Sequence, residues 1–227
     1  MSWRSREGPG RRWSPMTILW ACDLSVEAYA AAGKKVAVPR PRCPACGRWM
    51  IFWSGYGRWV RAGPVLRIWV RRARCPACGG SHGLLPSFCL LGRLDAVEVI
   101  GPAVEAVAGG AGTRSVARGL GVTFAYTTVR GWWRRHRQRV GVLVEVVAGW
   151  VSLPRLCAAV ADEADGVKAL KTVGVSVSAA VGIGVWPAVS LLSGGAWLST
   201  TTNTPTTTDL RRRWMSVMAG RDLTIPP

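Results

Sequence analysis

The chain has 227 residues and carries 30 Lys and Arg against 12 Asp and Glu, a formal net charge of +18. That length accommodates one or two domains with hydrophobic cores of their own, so the fold does not depend throughout on cross-links. The charge is too large for an ordinary near-neutral domain and predicts a polyanionic partner, either nucleic acid or an anionic membrane surface. Residues 1–140 carry a net +17 and residues 141–227 a net +1. We therefore expect the polyanion site in the first 140 residues.

The first segment, residues 1–38, combines a basic start with one short helix. Residues 1–15 are rich in Arg, Gly, Pro and Ser and are predicted to be disordered. Ser25 is predicted to cap a helix that continues through Ala32. No apolar run of signal-peptide length follows the first arginines before Asp23. We expect a cytoplasmic protein, in which paired cysteines bind metal more often than they form disulfides.

The second segment, residues 39–86, holds two near-identical cysteine pairs, each in a CPACG run. A C-x2-C turn supplies two soft ligands, and two such turns complete the tetrahedral sulfur set that zinc prefers. The glycine after each pair allows the left-handed backbone that such a turn requires. Because thiolates fill every position, one structural zinc is predicted, with two disulfides or a rubredoxin-like iron as alternatives. The predicted ligands are Cys43, Cys46, Cys75 and Cys78.

The other candidate ligands near these pairs are weaker. His82 follows Cys78 by four residues and is interpreted as a residue that supports a ligand or packs beside it. Cys22, Cys89 and Cys157 lie in apolar surroundings without partners at ligand spacing. They are interpreted as small buried apolar side chains.

Between the cysteine pairs, short β-like runs at residues 49–53 and 66–70 are separated by turn residues at 54–57 and 63–64. This pattern predicts a small antiparallel zinc ribbon. From Arg40 to Arg74 there are nine arginines and no acid, interleaved with tryptophans. Interleaving of this kind suits phosphate contacts combined with base stacking. We nevertheless expect the tryptophans to form the core of the ribbon and the arginines to contact nucleic acid; the tryptophans are Trp49, Trp53, Trp59 and Trp69.

The third segment, residues 92–140, has helical periodicity and resembles a helix-turn-helix. Helices are predicted over residues 94–107, 113–120 and 127–140. Ala117 and Leu120 pack inward and Gly121 forms the turn, although residues 124–126 make that turn longer than usual. Val129 and Trp132 or Trp133 are expected to anchor the last helix. The predicted DNA contacts are Arg114, Arg118, Thr128, Arg130, Arg134, Arg135, Arg137 and Arg139.

The last segment, residues 141–227, is predicted to be helical or mixed, with a Thr-rich tail. Helices are expected over residues 142–148 and 156–170. Residues 172–208 contain no charged side chain, but glycine, proline and serine interrupt the stretch. A buried helix or strand is therefore favoured over a membrane span.

Several of these motifs together resemble a family of uncharacterised bacterial proteins, with a domain of unknown function, that are similar to the N-terminal regions of insertion-sequence transposases. The motifs are PRPRCPACG from Pro39, RARCPACG from Arg72, SHGLLP from Ser81, GLGV from Gly119, TVRGW from Thr128, GG at Gly194 and NTP at Asn203. The resemblance covers roughly residues 16–210 and implies binding of zinc and DNA.

The expected fold class is α+β: a small antiparallel zinc ribbon, a helix-turn-helix and a mixed C-terminal region. The expected function is zinc-dependent reading of double-stranded DNA in the nucleoid, as a regulator or a transposase-like recognition module. No small-molecule substrate is evident. An active or remnant transposase is the alternative, but it needs about three carboxylates on an RNase H-like fold. Few acids follow the DNA-binding segment: Glu145, Asp162, Glu163, Asp165, Asp209 and Asp222. A membrane-associated protein is the second alternative.

Overall fold

The computed structural model describes residues 17–151 and 163–198 and has an α+β fold, as predicted. Its described part contains four strands and six α-helices. They are β1 (Thr17–Trp20), α1 (Val26–Ala32), β2 (Ile51–Arg61), β3 (Val65–Arg74), β4 (Ser81–Pro86), α2 (Val97–Ala108), α3 (Thr113–Leu120), α4 (Tyr126–Val151), α5 (Glu163–Val181) and α6 (Val185–Leu192). The predicted disordered start and the Thr-rich tail lie outside the described residues.

The strands form one mixed sheet in the order β1-β4-β3-β2. β2 with β3 and β3 with β4 are antiparallel, whereas β1 runs parallel to β4, with Ile18 opposite Leu84. The sequence indicated an antiparallel ribbon alone, so β1 is an addition. Its four-residue apolar run, TILW, is too short to show a strand period, and only pairing with β4 makes it a strand.

The β2–β3 hairpin is longer than predicted. The glycines and serine of residues 54–57, expected to form a turn, lie inside β2. The pairing register shifts between Phe52 and Ser54, so a bulge at Trp53 absorbs the irregularity there. The chain reverses at the second predicted turn, at Gly63, whose φ of 106° suits glycine alone. The hairpin therefore presents about ten residues of each strand, as one continuous ladder.

Helix α1 begins at the predicted capping residue. The Ser25 Oγ accepts a hydrogen bond from the Ala28 amide at 3.1 Å, as an N-cap side chain should. Its inner face places Tyr29 in the core, edge-on to Phe88 with ring centroids 5.3 Å apart. The Tyr29 hydroxyl donates to the Trp69 carbonyl oxygen, which joins α1 to β3.

The three helices after the sheet follow the predicted periodicity closely. α3 has the bounds expected from the sequence, and Gly121 with φ 96° ends it. α4 is longer than expected, since it continues without a break into the predicted helix over residues 142–148. Gly141 lies within α4 and does not interrupt it; a lone glycine in a helix costs only about 1 kcal/mol.

Much of the uncharged stretch is helical and buried. α5 and α6 are separated by a short turn at Gly182, and every α6 residue from Trp186 to Leu192 is buried. Among the described residues, no single helix is both long and apolar enough to cross a membrane, although α5 and α6, bent by 100°, pass that test as a pair. The predicted residues 156–162 lie outside the described part.

Apolar side chains from the sheet and the helices form one continuous core. Ile18, Ile68 and Leu84 contribute from the sheet, and Ile100 and Leu143 from the helices, all nearly inaccessible to solvent. Gly101 of α2 lets the Trp186 ring of α6 lie directly on the helix backbone, because a Cβ at that position would overlap the ring. Residues 17–151 and residues 163–198 are thus packed against each other.

Candidate metal centre and nucleic-acid interface

The four cysteines of the two pairs converge where β3 ends. Their Sγ atoms all lie within 4.8 Å of one another. Cys43 and Cys78 are 3.6 Å apart, and Cys46 and Cys75 are 3.4 Å apart. Zinc bound to four thiolates at about 2.3 Å requires sulfur–sulfur separations of roughly 3.8 Å. The cluster is therefore compatible with a tetrahedral zinc site formed by the four predicted ligands.

Each CPACG run folds into the same turn. The Gly47 amide donates to the Cys43 carbonyl oxygen at 2.8 Å, and the Gly79 amide donates to the Cys75 carbonyl oxygen at 3.0 Å. Both glycines have left-handed backbones, with φ of 71° and 73°. A side chain at either position would be strained. The repeated sequence thus gives a repeated geometry, in which each turn presents two sulfurs to the same point.

The thiols of the cluster titrate differently. Burial raises the pKa of Cys43 to about 12 and also raises the pKa of Cys78. Burial acts the same way on Cys75, but hydrogen bonds from the backbone amides of Cys78 and Ala77 and from the Cys46 thiol outweigh it and lower the pKa of Cys75 to about 7. A bound cation would stabilise all four thiolates, so metal binding would release protons.

His82 lies beside the cluster on β4. It is buried, and it is paired across the sheet with Ala73. A Cβ added to Gly80 would meet the His82 Nε2 at 3.3 Å and the Cys78 Sγ at 3.5 Å, so both atoms border the same glycine. That place suits a residue that supports a ligand without joining the four sulfurs. Its role stays a prediction.

The remaining described cysteines are buried away from the cluster. Cys22 is 3% exposed and Cys89 is 2% exposed. Burial raises the pKa of each thiol to about 12, as expected for inert apolar side chains. Cys157 lies outside the described residues.

The tryptophans between the cysteine pairs are not the core of the hairpin, which corrects the expectation from the sequence. Trp53 is 52% exposed and Trp59 is 57% exposed, Trp49 is also exposed, and Trp69 is half-buried. Small aliphatic side chains, such as Val60, Ile68 and Val70, are buried instead. These three aliphatic positions share one face of the hairpin, whereas Trp59 and Trp69 lie on the other.

α4 separates apolar and basic residues onto opposite faces. Val129, Trp132 and Val140 are buried at helical spacing, as expected for the inner face. Three of the predicted contact residues, Arg130, Arg134 and Arg137, are exposed at i, i+4 and i+7. Together with Trp133 and Gln138 they line one shallow concavity on the outer face of the helix. We call the three arginines the arginine stripe.

The other predicted contact residues are less uniform. Arg135 and Arg139 are half-buried, and Arg135 folds back along its own helix against Gly131. Burial, with Arg93 and Arg134 nearby, lowers the pKa of Arg135. On α3, Arg114 and Arg118 are exposed, and the Arg114 guanidinium lies 5.1 Å from the Tyr126 ring centroid. Thr128 is half-buried in the first turn of α4.

The lengthened turn between α3 and α4 has a structural role that sequence reasoning missed. Phe124 is buried against Trp132, with ring centroids 5.9 Å apart, and the Arg61 guanidinium covers its other side at 4.4 Å. Arg61 also forms an ion pair with Asp95 at 2.7 Å and donates to the Thr123 carbonyl oxygen at 2.6 Å. This cluster, which we call the Arg61 joint, fixes the end of the hairpin to the turn that precedes α4. The unusual length of the turn was visible in the sequence. Its partner, Arg61, could not be identified from spacing because it lies over sixty residues earlier in the chain.

A second feature that the sequence did not predict is a cluster of rings around His136, on the inner face of α4. His136 is fully buried on α4, and its Nδ1 accepts a hydrogen bond from the Trp197 Nε1 at 3.1 Å. Trp133 stacks on the imidazole, and Trp186 stacks on Trp197 at 5.3 Å. Sequence spacing carries no sign of this contact, because the two ends of the hydrogen bond are 61 positions apart. The rings pack α4 against the C-terminal part of the described chain.

The described part of the structure brings no two of the candidate catalytic acids together. Glu145 is exposed on α4. Asp162, Asp209 and Asp222 lie outside the described part, as do the side chains of Glu163 and Asp165.

Comparison with known proteins returned no matching protein-family model, curated protein or solved structure.

Proposed function

We propose that this protein binds double-stranded DNA through α4, as a bacterial transposase-like recognition module or regulator, with a structural zinc at the four-cysteine cluster. α2, α3 and α4 would form the helix-turn-helix, with α4 as its recognition helix. The observation that carries the proposal is the arginine stripe: three exposed cations on the outer face of a helix whose inner face is anchored in the core.

The charge around α4 supports an anionic ligand. From Thr113 to Val144 there are seven arginines and no acid. A run of this kind lowers the cost of bringing phosphates close and raises the association rate.

Rigidity supports reading of base edges. A recognition helix must hold its side chains in a fixed register against the bases. Trp132 and His136 are fully buried on the inner face, and Phe124 and the Arg61 joint hold the turn before the helix. The position of Arg130 near the N-terminal end of α4 is where recognition helices contact base edges, whereas Arg137 lies further along, where phosphates are met.

Zinc would act on this surface indirectly. The cysteine cluster closes the base of the hairpin, and the far end of the hairpin carries Arg61. Fixing the base of the hairpin therefore helps to position the joint against the α3–α4 turn. No ligand position is left for substrate, so the metal would be structural.

The test is a binding selection on random duplexes followed by salt-dependent affinity measurements on the selected and a scrambled duplex. Arg130→Ala should cost about 1–3 kcal/mol on the selected duplex and relax preference at one position. Arg137→Ala should weaken both duplexes alike and lower the salt slope by about 1. Arg48→Ala, which removes an exposed charge near the first cysteine turn, is the matched control and should leave sequence preference intact. Equal loss on both duplexes with Arg130→Ala, or no loss, would show that α4 does not read sequence.

A further inference from the structure

One face of the β2–β3 hairpin carries alternating aromatic and cationic side chains. Cross-strand pairing places Trp59 opposite Arg67, Gly57 opposite Trp69 and Gly55 opposite Arg71, so these positions share a face. Lys34 reaches over the Trp69 ring from the turn after α1, 4.6 Å from its centroid, and Arg71 lies 5.3 Å from the Phe52 ring. We call this surface the hairpin platform: Lys34, Phe52, Trp59, Arg67, Trp69 and Arg71.

The two glycines of β2 make the platform flat. A Cβ at Gly55 would lie 2.6 Å from the Trp69 Nε1, and a Cβ at Gly57 would overlap the Arg67 guanidinium. Because these two positions have no Cβ atom, the long side chains of β3 can lie across the backbone of β2. Trp69 is thereby fixed between the strand and Lys34, whereas Trp59, opposite Arg67, keeps 57% of its surface exposed.

The platform is also strongly cationic. Between Glu27 and Asp95 the chain has no acid, and the hairpin strands alone contribute six arginines. The exposed Trp59 ring offers an apolar plane beside a cation, since the Arg67 guanidinium lies 5.9 Å from its centroid. That combination is complementary to an unpaired base with its attached phosphates.

We propose that the hairpin platform binds single-stranded nucleic acid, with a base stacked on Trp59, a second near Phe52, and phosphates held by Arg67 and Lys34. The platform shares no residue with the arginine stripe, so the inference does not depend on duplex binding by α4. Bases within a duplex are already stacked on both faces and cannot cover Trp59, which is why the occupant is single-stranded.

An anionic membrane is the competing occupant, and the arrangement disfavours it. Hairpins that insert into a bilayer expose large apolar side chains at the turn, whereas this turn has the small residues Ala62, Gly63 and Pro64. The platform aromatics instead lie along the strands, with guanidinium groups at 5.3–5.9 Å from two of their rings. Insertion would carry those cations into hydrocarbon.

The experiment measures fluorescence anisotropy of a labelled oligo-dT strand with the zinc-loaded full chain. Trp59→Ala should weaken binding by roughly 5- to 150-fold, the range measured for loss of one stacking side chain. Trp59→Phe should restore most of the affinity, because any aromatic plane can stack. Tyr56→Ala is the matched control: Tyr56 is a similarly exposed aromatic on β2, paired with the buried Val70 and so on the opposite face. It should leave the affinity unchanged.

Three outcomes would overturn the proposal: equal affinity of Trp59→Ala and the unchanged chain, equal loss with Tyr56→Ala, or binding to phosphatidylcholine–phosphatidylserine vesicles but not to oligo-dT. Arg130→Ala, assayed in parallel on duplex and oligo-dT, separates this inference from the proposed function. If Arg130→Ala weakens binding to the duplex alone, the two surfaces are distinct. If Arg130→Ala weakens oligo-dT binding as much as Trp59→Ala does, the chain has a single nucleic-acid surface, and the proposal is contradicted.

Discussion

Tryptophan occupies opposite environments in the two halves of the molecule. In the cysteine-bearing hairpin, Trp53 and Trp59 are more than half exposed, whereas Trp132 and Trp197 in the helical half are 1% and 0% exposed. Trp59 projects from the face of the hairpin opposite the buried Val60, Ile68 and Val70, whereas each helix from α2 to α6 packs against at least two others. The same residue type therefore stabilises one half and provides a surface in the other.

The difference extends to what holds each half together. The hairpin buries mainly Val60, Ile68 and Val70 and has four converging thiols at its base. The helical half contributes large rings and leucines to the core that it shares with the sheet. We expect removal of the metal to unfold the hairpin, and substitutions that leave a cavity to destabilise the helices.

The largest effect should follow removal of a metal ligand. Cys75→Ser should abolish stoichiometric metal and unfold the cysteine turns and hairpin, because a structural zinc contributes on the order of 10 kcal/mol. Metal analysis together with limited proteolysis would measure this. Cys22→Ser, which changes a buried cysteine outside the cluster, should keep one metal per chain. A purified chain with no stoichiometric metal and no response to chelators would contradict the zinc site.

The next effect distinguishes the tryptophans directly. Trp197→Ala should lower the free energy of unfolding by about 3–5 kcal/mol, since it leaves a cavity beside Trp186 and removes the donor to His136. Trp59→Ala should change it by no more than about 0.5 kcal/mol. Urea denaturation monitored by circular dichroism gives both values. Similar losses in the two variants would mean that Trp59 is part of a core after all.

The Arg61 joint tests whether the halves are coupled. Arg61→Ala leaves Asp95, whose side chain is 8% exposed, buried without its partner and should destabilise the fold by about 3 kcal/mol. Asp95→Asn in the Arg61→Ala background should recover part of that loss, because it removes the stranded charge. Arg67→Ala, an exposed arginine of the same hairpin, should have little effect on stability. If the double variant were no more stable than Arg61→Ala, the joint would not rest on the ion pair.

Local rules predicted much of this architecture. The cap at Ser25, the bounds of α3 and the inner face of α4 follow from side-chain chemistry within a few positions, and the structure agrees. The repeated CPACG runs likewise indicated a sulfur cluster, and the four thiols do converge.

The misses have a common cause, which is long-range packing. β1 exists because β4 pairs with it, 66 positions away. Trp59 is exposed because it projects from the face opposite the buried aliphatic positions, and the glycines inside β2 resemble a turn in sequence although the side chains of Trp69 and Arg67 lie across them. Local spacing contains none of this information.

The smallest effect concerns those glycines, which share one face of the hairpin but meet different side chains. At Gly57 an added methyl meets only the flexible end of Arg67, so Gly57→Ala should cost little, or stabilise the strand by about 0.5 kcal/mol through lower backbone entropy. At Gly55 the methyl meets the Trp69 ring, which Lys34 and the strand hold in place, so Gly55→Ala should destabilise the fold by about 1–3 kcal/mol. Both variants should weaken oligo-dT binding, because each disturbs the platform, but only one should lower stability. Paired urea denaturation and anisotropy measurements would show this. If Gly57→Ala altered neither stability nor oligo-dT affinity, Arg67 would not lie across β2. If Gly55→Ala were as stable as the unchanged chain, Trp69 would be free to move and could not serve as a fixed part of the platform.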